Sequence, residues 1–194
     1  MFLTFFIFKE VDDIPHNHGK ELEQSIKESC KKQHILWERY QDSNKFGNNE
    51  QARFTMKSPC DGHIYKDGKL YYIELKSSQT GSISYELVKT NNACRSIKAH
   101  QIKSLYERSQ YEGVNAGFIM WFLPKKTKKK EREEGAFYID IQDFLDFVTQ
   151  SNKKSINFDD AKKIGTRIDI KKLRVKNLYD IEGLLNNLNN KLPF

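Results

Sequence analysis

Two carboxylates and a lysine lie close to an Asp-Gly pair, Asp67 and Gly68, and these residues are the best suited to chemistry. An Asp-Gly pair between aromatic and β-branched residues predicts a hairpin with a two-residue turn, because this turn needs positive φ at both central positions. The turn fixes which residues face each other across the two strands, and it places Asp61 directly opposite Glu74. Opposed residues have Cβ atoms about 4.5–5.5 Å apart, and two carboxylates at that distance destabilise a sheet. The pairing therefore predicts a cation between them.

The predicted cation is a hard divalent ion, Mg²⁺ or Mn²⁺, since such ions prefer oxygen ligands. Side chains alternate across a strand, so Lys76 shares a face with Glu74 and lies within reach of it. The opposite face of the hairpin carries apolar residues and is expected to pack in the core: Ile64, Tyr71, Ile73 and Leu75. The alternative is an exposed hairpin with scattered charges, since the D…ExK spacing alone has little specificity.

Two predicted helices bring further polar groups to the border of the core. The first, from about residue 19 to 32, has an apolar stripe, and Glu23 borders that stripe. Its carboxylate is a candidate metal ligand, and an ordinary solvated helix glutamate is the alternative. The second, from about residue 95 to 108, has Gln101 on or beside its buried stripe. A buried amide needs a hydrogen-bond partner, which a metal-bound water or a carboxylate would provide; a structural core glutamine is the alternative.

Two segments rich in basic side chains are candidates for contact with DNA. The polar segment at about 41–58 contains Arg53, Phe54 and Lys57, which would pair with phosphates and stack on exposed bases. The segment at about 124–135 connects two predicted strands as a basic hairpin loop with a group of lysines: Lys125, Lys126, Lys128, Lys129 and Lys130. Such a loop would bind phosphates. The alternatives are an ordinary surface loop for the first segment and a solvated hairpin tip for the second.

The whole chain, residues 1–194, is expected to form a single α/β domain. Its length suits one packed core, and 12% aromatic with 30% charged residues is typical of a globular protein. The remaining strands are predicted at about 34–40, 113–122 and 137–141, and the remaining helices at about 143–148 and 178–189.

The net charge of +7 favours a polyanionic partner, with nucleic acid first and an anionic membrane surface second. The basic residues lie on loops and not on an amphipathic helix, so no membrane partner is expected. The three cysteines are widely spaced without a C-x-x-C pair, which disfavours a disulfide framework or a zinc site and favours the reducing cytoplasm. The apolar residues 1–8 are too short to span a bilayer and lack the features of a signal peptide. They are expected to form a strand or a packing arm at a subunit interface.

Taken together, the motifs resemble the RecU family of Holliday junction resolvases, which belongs to the restriction-endonuclease-like nucleases with a PD-(D/E)xK core. The residues that carry the resemblance are Gly19-x-x-Leu22-Glu23, Asp61-Gly62, Ile73-Glu74-Leu75-Lys76 and His100-Gln101. The resemblance implies a restriction-endonuclease-like core, which is a central mixed β-sheet flanked by helices. It also implies that the segment at about 41–58 is a projecting stalk that reaches the branch point of a four-way DNA junction.

By the same resemblance, the acidic site falls on Glu23, Asp61 and Glu74, with Lys76 as the catalytic lysine and Gln101 beside the site. The implied activity is Mg²⁺-dependent cleavage of branched double-stranded DNA, with Mn²⁺ able to substitute. Symmetric cutting of a four-way junction needs two active sites, so a homodimer is expected. The expected location is the cytoplasm, in association with the nucleoid.

Two departures from the family pattern point to a phage or mobile-element version. Cys60 separates Pro59 from Asp61, whereas the family core usually has Pro-Asp. The segment between Lys76 and the helix that carries Gln101 is also longer than in the cellular enzymes. Two alternatives therefore stay open: a structure-unspecific nuclease with the same core, and a non-catalytic DNA-binding protein of the same fold.

Overall fold

The computed structural model describes residues 17–40, 58–88, 95–126, 131–174 and 176–191. The helices in these ranges are α1 (His18–Lys32), α2 (Ala99–Ser109), α3 (Ile141–Ser151), α4 (Phe158–Ile164) and α5 (Ile181–Lys191). The strands are β1 (Leu36–Arg39), β2 (Gly62–Lys66), β3 (Lys69–Ser78), β4 (Ser82–Ser84), β5 (Val114–Phe122), β6 (Lys125–Lys126), β7 (Glu131–Arg132), β8 (Gly135–Asp140), β9 (Ser155–Asn157), β10 (Thr166–Ile168), β11 (Ile170–Lys172) and β12 (Asn177–Tyr179).

Six of these strands form the central sheet, in the order β1-β2-β3-β5-β8-β10. β3 and β5 are parallel, and the other neighbouring pairs are antiparallel. Parallel neighbours need a crossover connection, and α2 lies in the connection between β3 and β5. The sheet is therefore mixed, and α2 is brought alongside the strand that carries Glu74.

Helices cover both faces of this sheet. α1 and α5 pack on one face, where Leu22 and Leu184 are buried with Ile119 of β5. α2, α3 and α4 pack on the other face, where Phe144 is buried with Phe118 of β5. The predicted α/β architecture, a central mixed β-sheet flanked by helices, is confirmed. None of the helices in the described ranges has the length and apolar character needed to span a bilayer.

The predicted hairpin is formed by β2 and β3. Asp67 and Gly68 make its turn, with φ angles of 52° and 78°. Lys66 pairs with Lys69 beside the turn, and the register continues without a bulge to Gly62 opposite Ile73. This is the register predicted from the turn. The face predicted to be apolar is in the core, since the side chains on it are at most 9% exposed: Ile64, Tyr71, Ile73 and Leu75.

The predicted start of the second helix is wrong. α2 begins at Ala99 instead of Arg95. The residues before it are extended, because the N–H of Ile97 donates to the carbonyl of Ser84 at 2.9 Å and its own carbonyl accepts from Glu86 at 3.0 Å. A hydrophobic pattern within one segment does not reveal a contact with another segment, so the pattern predicts a helix that starts four residues too early.

Other boundaries differ for similar reasons. The strand predicted at 34–40 is shortened to β1. The short helix predicted at 143–148 is the middle of α3, which begins earlier because the Asp140 carboxylate caps it and accepts from Gln142 N at 2.8 Å. The helix predicted at 178–189 loses its first turn to β12, which pairs with β11.

Candidate active site

Asp61 immediately precedes β2 and lies beside the segment of β3 that carries Glu74. Its Oδ2 accepts a hydrogen bond from the backbone N–H of Leu75 at 2.7 Å, so its carboxylate reaches across to the neighbouring strand. The carbonyl of Asp61 accepts from the N–H of Tyr40 at 2.9 Å, which fixes the backbone from the other side. The structure thus places the two carboxylates next to each other, as the hairpin register predicts.

Gly62 allows this close approach of β1 and β2. A Cβ atom at this position would lie 2.5 Å from the carbonyl oxygen of Glu38 and 2.8 Å from the ring of Trp37. Such contacts are shorter than any that a real side chain tolerates, so only glycine fits between the strand and the indole. The glycine therefore holds Asp61 against the edge of the sheet.

The Glu74 carboxylate is buried, with only 1% of the residue exposed. Its Oε1 accepts from Lys76 Nζ at 2.8 Å and from the side-chain amide of Gln101. Burial raises the pKa of Glu74 from 4.5 to about 7; the positive charge of Lys76 lowers it and the negative charge of Asp61 raises it. Burial therefore outweighs the attraction of the lysine, and the carboxylate is costly to ionise in the protein alone.

Gln101 makes two hydrogen bonds. They correspond to the two alternatives that its sequence position left open, a partner of a carboxylate and a structural glutamine. Its Nε2 donates to the Glu74 carboxylate, as expected for a buried amide beside the site. Its Oε1 accepts from the backbone N–H of Lys98 at 2.9 Å, which caps the start of α2. The same side chain is thus a structural cap and a partner of Glu74.

Glu23 does not join this pair of carboxylates. Its Oε1 is 2.7 Å from Nε of Arg39, which lies on the edge strand β1. Among the residues that the structure describes, no three Asp, Glu, His or Cys side chains are grouped so that they could hold a metal ion. Glu23 lies at the border of the α1 stripe as predicted, but Arg39 binds its carboxylate instead.

The residues present fit a divalent cation as a two-carboxylate site. Asp61 and Glu74 are hard oxygen ligands of the kind that Mg²⁺ and Mn²⁺ prefer. The negative charge of Asp61 also raises the pKa of Glu74, so the two groups repel each other in the folded protein. A cation between them would reverse the sign of this interaction.

The predicted DNA-contacting residues fall mainly outside the described residues: Arg53, Phe54, Lys57, Lys128, Lys129 and Lys130. Lys125 and Lys126 form β6, which pairs with β7 in a short hairpin, and both are exposed. Lys126 Nζ is 3.9 Å from Glu131 Oε1. β6 and β7 thus lie within the predicted basic loop at about 124–135, and both the extent of that loop and the binding role of its lysines stay predictions.

A group of aromatic residues beside the carboxylates was not singled out from the sequence. The rings of Tyr40 and Tyr72 are stacked, with centroids 6.3 Å apart and planes within 6°. His63 is tilted against both rings, and the guanidinium carbon of Arg108 is 4.8 Å from the centre of the Tyr72 ring. Burial and a hydrogen bond with Tyr72 raise the pKa of Tyr40 to about 12. Two sequence features could have identified this group. The alternation of side chains along the strands places His63 and Tyr72 on the same face as the carboxylates, and Arg108 lies seven residues after Gln101 on the same helix.

Known proteins similar to the chain include a prophage protein and a protein of solved structure. The chain is 28% identical over 185 residues to the SPbeta prophage-derived uncharacterized protein YotM of Bacillus subtilis (strain 168), which covers 89% of this chain and 87% of that protein. It is also similar to the crystal structure of Hjc from Archaeoglobus fulgidus, described as a Holliday junction resolvase from an archaeal hyperthermophile. The TM-score is 0.47 at 14% identity, over 77% of this chain and 95% of that one. No family model matches the chain. Neither similarity assigns a family, an activity or a ligand to it.

Proposed function

We propose that the chain is a metal-dependent endodeoxyribonuclease of the restriction-endonuclease-like class, and within that class a Holliday junction resolvase of the RecU type. The observation that carries the proposal is the convergence of four side chains in one place. Asp61 lies against β3 beside the buried carboxylate of Glu74, and that carboxylate is bound by Lys76 and Gln101. Two acids can hold a metal ion, and a cation can stabilise the charge that develops when a phosphodiester is hydrolysed.

Asp61 and Glu74 are the residues that would hold one or two Mg²⁺ ions, or Mn²⁺ as a substitute. When bound, the metal lowers the pKa of a water and offsets negative charge on the scissile phosphate. Lys76 would orient that water or stabilise the additional negative charge of the pentacovalent transition state, since its ammonium group already lies 2.8 Å from Glu74. Gln101 would hold the Glu74 carboxylate in place from α2. Glu23 would become a third ligand only by exchanging Arg39 for the metal.

The preference for a four-way junction is proposed from the predicted stalk at about 41–58. Tyr40, the described residue just before residues 41–57, is hydrogen-bonded to Asp61, and the chain after that segment leads directly into Asp61. A segment that starts and ends beside the carboxylates is well placed to present Arg53, Phe54 and Lys57 to a branch point next to the cut. The net charge of +7 supports a DNA partner.

Two further proposals follow from the same function. A resolvase must cut two strands symmetrically, so we expect a homodimer with two sites related by a two-fold axis. Residues 1–8, the predicted contact, lie outside the described residues; sedimentation as a monomer at micromolar concentration would contradict junction resolution. The similarity to a prophage-derived protein supports a phage or mobile-element origin.

The deciding experiment is cleavage of a synthetic four-way DNA junction with Mg²⁺ present. The chain should cut the junction, and Asp61→Asn and Glu74→Gln should abolish cutting while they bind the junction at least as tightly, because each removes a negative charge that repels phosphates. Lys103→Ala is the matched control: Lys103 is on α2, its side chain is 76% exposed, and it is paired with the exposed Glu107. Cutting by either carboxylate variant at the rate of this control would refute the assignment.

A second candidate is a structure-unspecific nuclease with the same carboxylate pair. The observation in its favour is that Asp61, Glu74, Lys76 and Gln101 would act on any phosphodiester, since none of their contacts depends on the shape of the DNA. Equal cleavage of a junction and of a linear duplex at matched salt would establish this candidate. Junction binding without cleavage would instead identify a non-catalytic DNA-binding protein of the same fold.

A further inference from the structure

Arg108 lies on the same side of α2 as Gln101, two helical turns further along. Seven residues of α-helix rise about 10 Å, and residues seven apart face nearly the same direction. Gln101 binds Glu74, and the Arg108 guanidinium lies over Tyr72. Tyr72 and Glu74 share a face of β3 and are about 7 Å apart along the strand. This distance is comparable with the spacing of neighbouring phosphates in a nucleic-acid strand.

The guanidinium of Arg108 has no hydrogen-bond or ion-pair partner among the residues that the structure describes. Two other arginines have partners: Arg39 pairs with Glu23, and Arg132 donates to two backbone carbonyls. Nε of Arg108 is also shielded from solvent without an acceptor. A half-buried donor group without an acceptor is unfavourable unless a ligand supplies one.

The aromatic group beside Arg108 holds this cation without neutralising it. The guanidinium carbon of Arg108 lies over the Tyr72 ring at 4.8 Å from its centre, and such a contact with a ring does not use the N–H donors of the cation. Tyr40 stacks behind Tyr72 and restricts the ring. An oriented, partly desolvated guanidinium with free donors is suited to a phosphate oxygen.

We infer that Arg108, oriented by Tyr72 and Tyr40, binds the phosphodiester adjacent to the one that is cleaved. This inference rests on the proposed function, because it assumes a nucleic-acid substrate beside α2 and β3. The strand is then held at two neighbouring phosphates, with the carboxylate pair at the reacting phosphate and Arg108 at the next one. Arg108 is therefore a substrate-binding residue that sets the register of the strand.

The first test compares Arg108→Ala, Arg108→Lys and Lys103→Ala in binding to a synthetic four-way junction over a series of salt concentrations. One lost charge-assisted hydrogen bond to phosphate should weaken binding by Arg108→Ala about tenfold. In a plot of the logarithm of the binding constant against the logarithm of the salt concentration, the slope for Arg108→Ala should be shallower than for wild type by about one phosphate contact. The slopes for Arg108→Lys and Lys103→Ala should equal that of wild type. A merely structural role for Arg108 would weaken binding without changing that slope, and this result would overturn the inference.

The second test leaves the protein unchanged and neutralises the substrate instead. Junctions each carry one uncharged methylphosphonate, at successive positions around the mapped cut. Neutralisation of the phosphodiester next to the cut should reduce single-turnover cleavage by the wild-type chain and by Lys103→Ala about tenfold, and should have no further effect on Arg108→Ala. Equal losses for wild type and Arg108→Ala at every position would overturn the inference.

The two proposals fail in different ways. If the wild-type chain neither binds nor cuts nucleic acid, the proposed function falls and the role of Arg108 falls with it. If the wild-type chain cuts the junction and Arg108→Ala behaves as Lys103→Ala in both tests, only the role of Arg108 is rejected. Thermal melting of each variant verifies that binding and cleavage are compared between folded proteins.

Discussion

Replacement of Glu74 by glutamine tests the physical basis of the site without any assumption about the substrate. Burial raises the pKa of Glu74 from 4.5 to about 7, so the folded chain holds this proton more tightly than the unfolded chain does. A group of this kind gives its full contribution to stability below the unfolded pKa and loses it as the pH rises through the folded pKa. The metal-free wild type should therefore become less stable between about pH 4.5 and pH 7.

The size of the effect follows from the same two values. At about 1.4 kcal/mol for each pKa unit, the change from 4.5 to about 7 corresponds to about 3 kcal/mol of unfolding free energy over the whole transition. Between about pH 5 and pH 8, the loss is about 2.5 kcal/mol, because a small part already occurs below pH 5. Glu74 is only 1% exposed, so solvent screening reduces this little.

The assay is urea unfolding of the wild type and Glu74→Gln, with a chelator, at several values across this pH range. The glutamine keeps an oxygen acceptor for Lys76 and Gln101 but does not titrate, so the difference between the two proteins isolates Glu74. The wild type should lose about 2.5 kcal/mol relative to Glu74→Gln from pH 5 to pH 8. Added Mg²⁺ should restore stability to the wild type alone, because the cation binds the deprotonated pair. Parallel pH profiles for the two proteins would refute the account of a costly buried carboxylate.

Gly62→Ala should destabilise the chain by about 1–3 kcal/mol or more in urea unfolding, since its Cβ would lie 2.5 Å from a carbonyl oxygen; Gly19→Ala, whose Cβ meets nothing closer than 3.4 Å, is the control and should not destabilise. Gln101→Leu should lower the free energy of unfolding by about 1–2 kcal/mol, because it removes the cap of α2 and a hydrogen bond to Glu74. A destabilisation no greater than that of Lys103→Ala would contradict this expectation. Glu23→Gln should leave the Mg²⁺ concentration for half-maximal cleavage within about twofold, since an exposed pair with Arg39 is all that it breaks. A tenfold increase would instead show that Glu23 exchanges Arg39 for the metal.

The hairpin and its register were predictable because the information is local. Asp67 and Gly68 specify the turn, and the turn specifies the pairing of every residue down to Gly62 and Ile73. The position of Gln101 was informative for a related reason. An amide on the buried side of a helix needs a partner, and the structure supplies both Glu74 and the N–H of Lys98.

Contacts between distant segments were beyond the sequence pattern. Nothing in α1 or β1 alone shows that Arg39 lies 2.7 Å from Glu23. The edge strand β10 and the pair β11–β12 have only three residues each and are rich in charged or polar side chains, so they lack the alternation that marks a strand. The stacking of Arg108 on Tyr72 likewise depends on how α2 lies across β3.

The buried carboxylate of Glu74 is the physical reason to expect a cation at this site. Lys76 and Gln101 both bind its carboxylate, and its pKa is nevertheless raised to about 7, so these two partners do not offset the loss of solvation. Asp61 is held beside it by hydrogen bonds to Leu75 and Tyr40, which prevents the two acids from separating to relieve their repulsion. A neutral side chain of the same volume would make the apo protein more stable at neutral pH. On our proposal, a divalent cation would make the arrangement favourable, so stability and the capacity for hydrolysis would be gained in the same step.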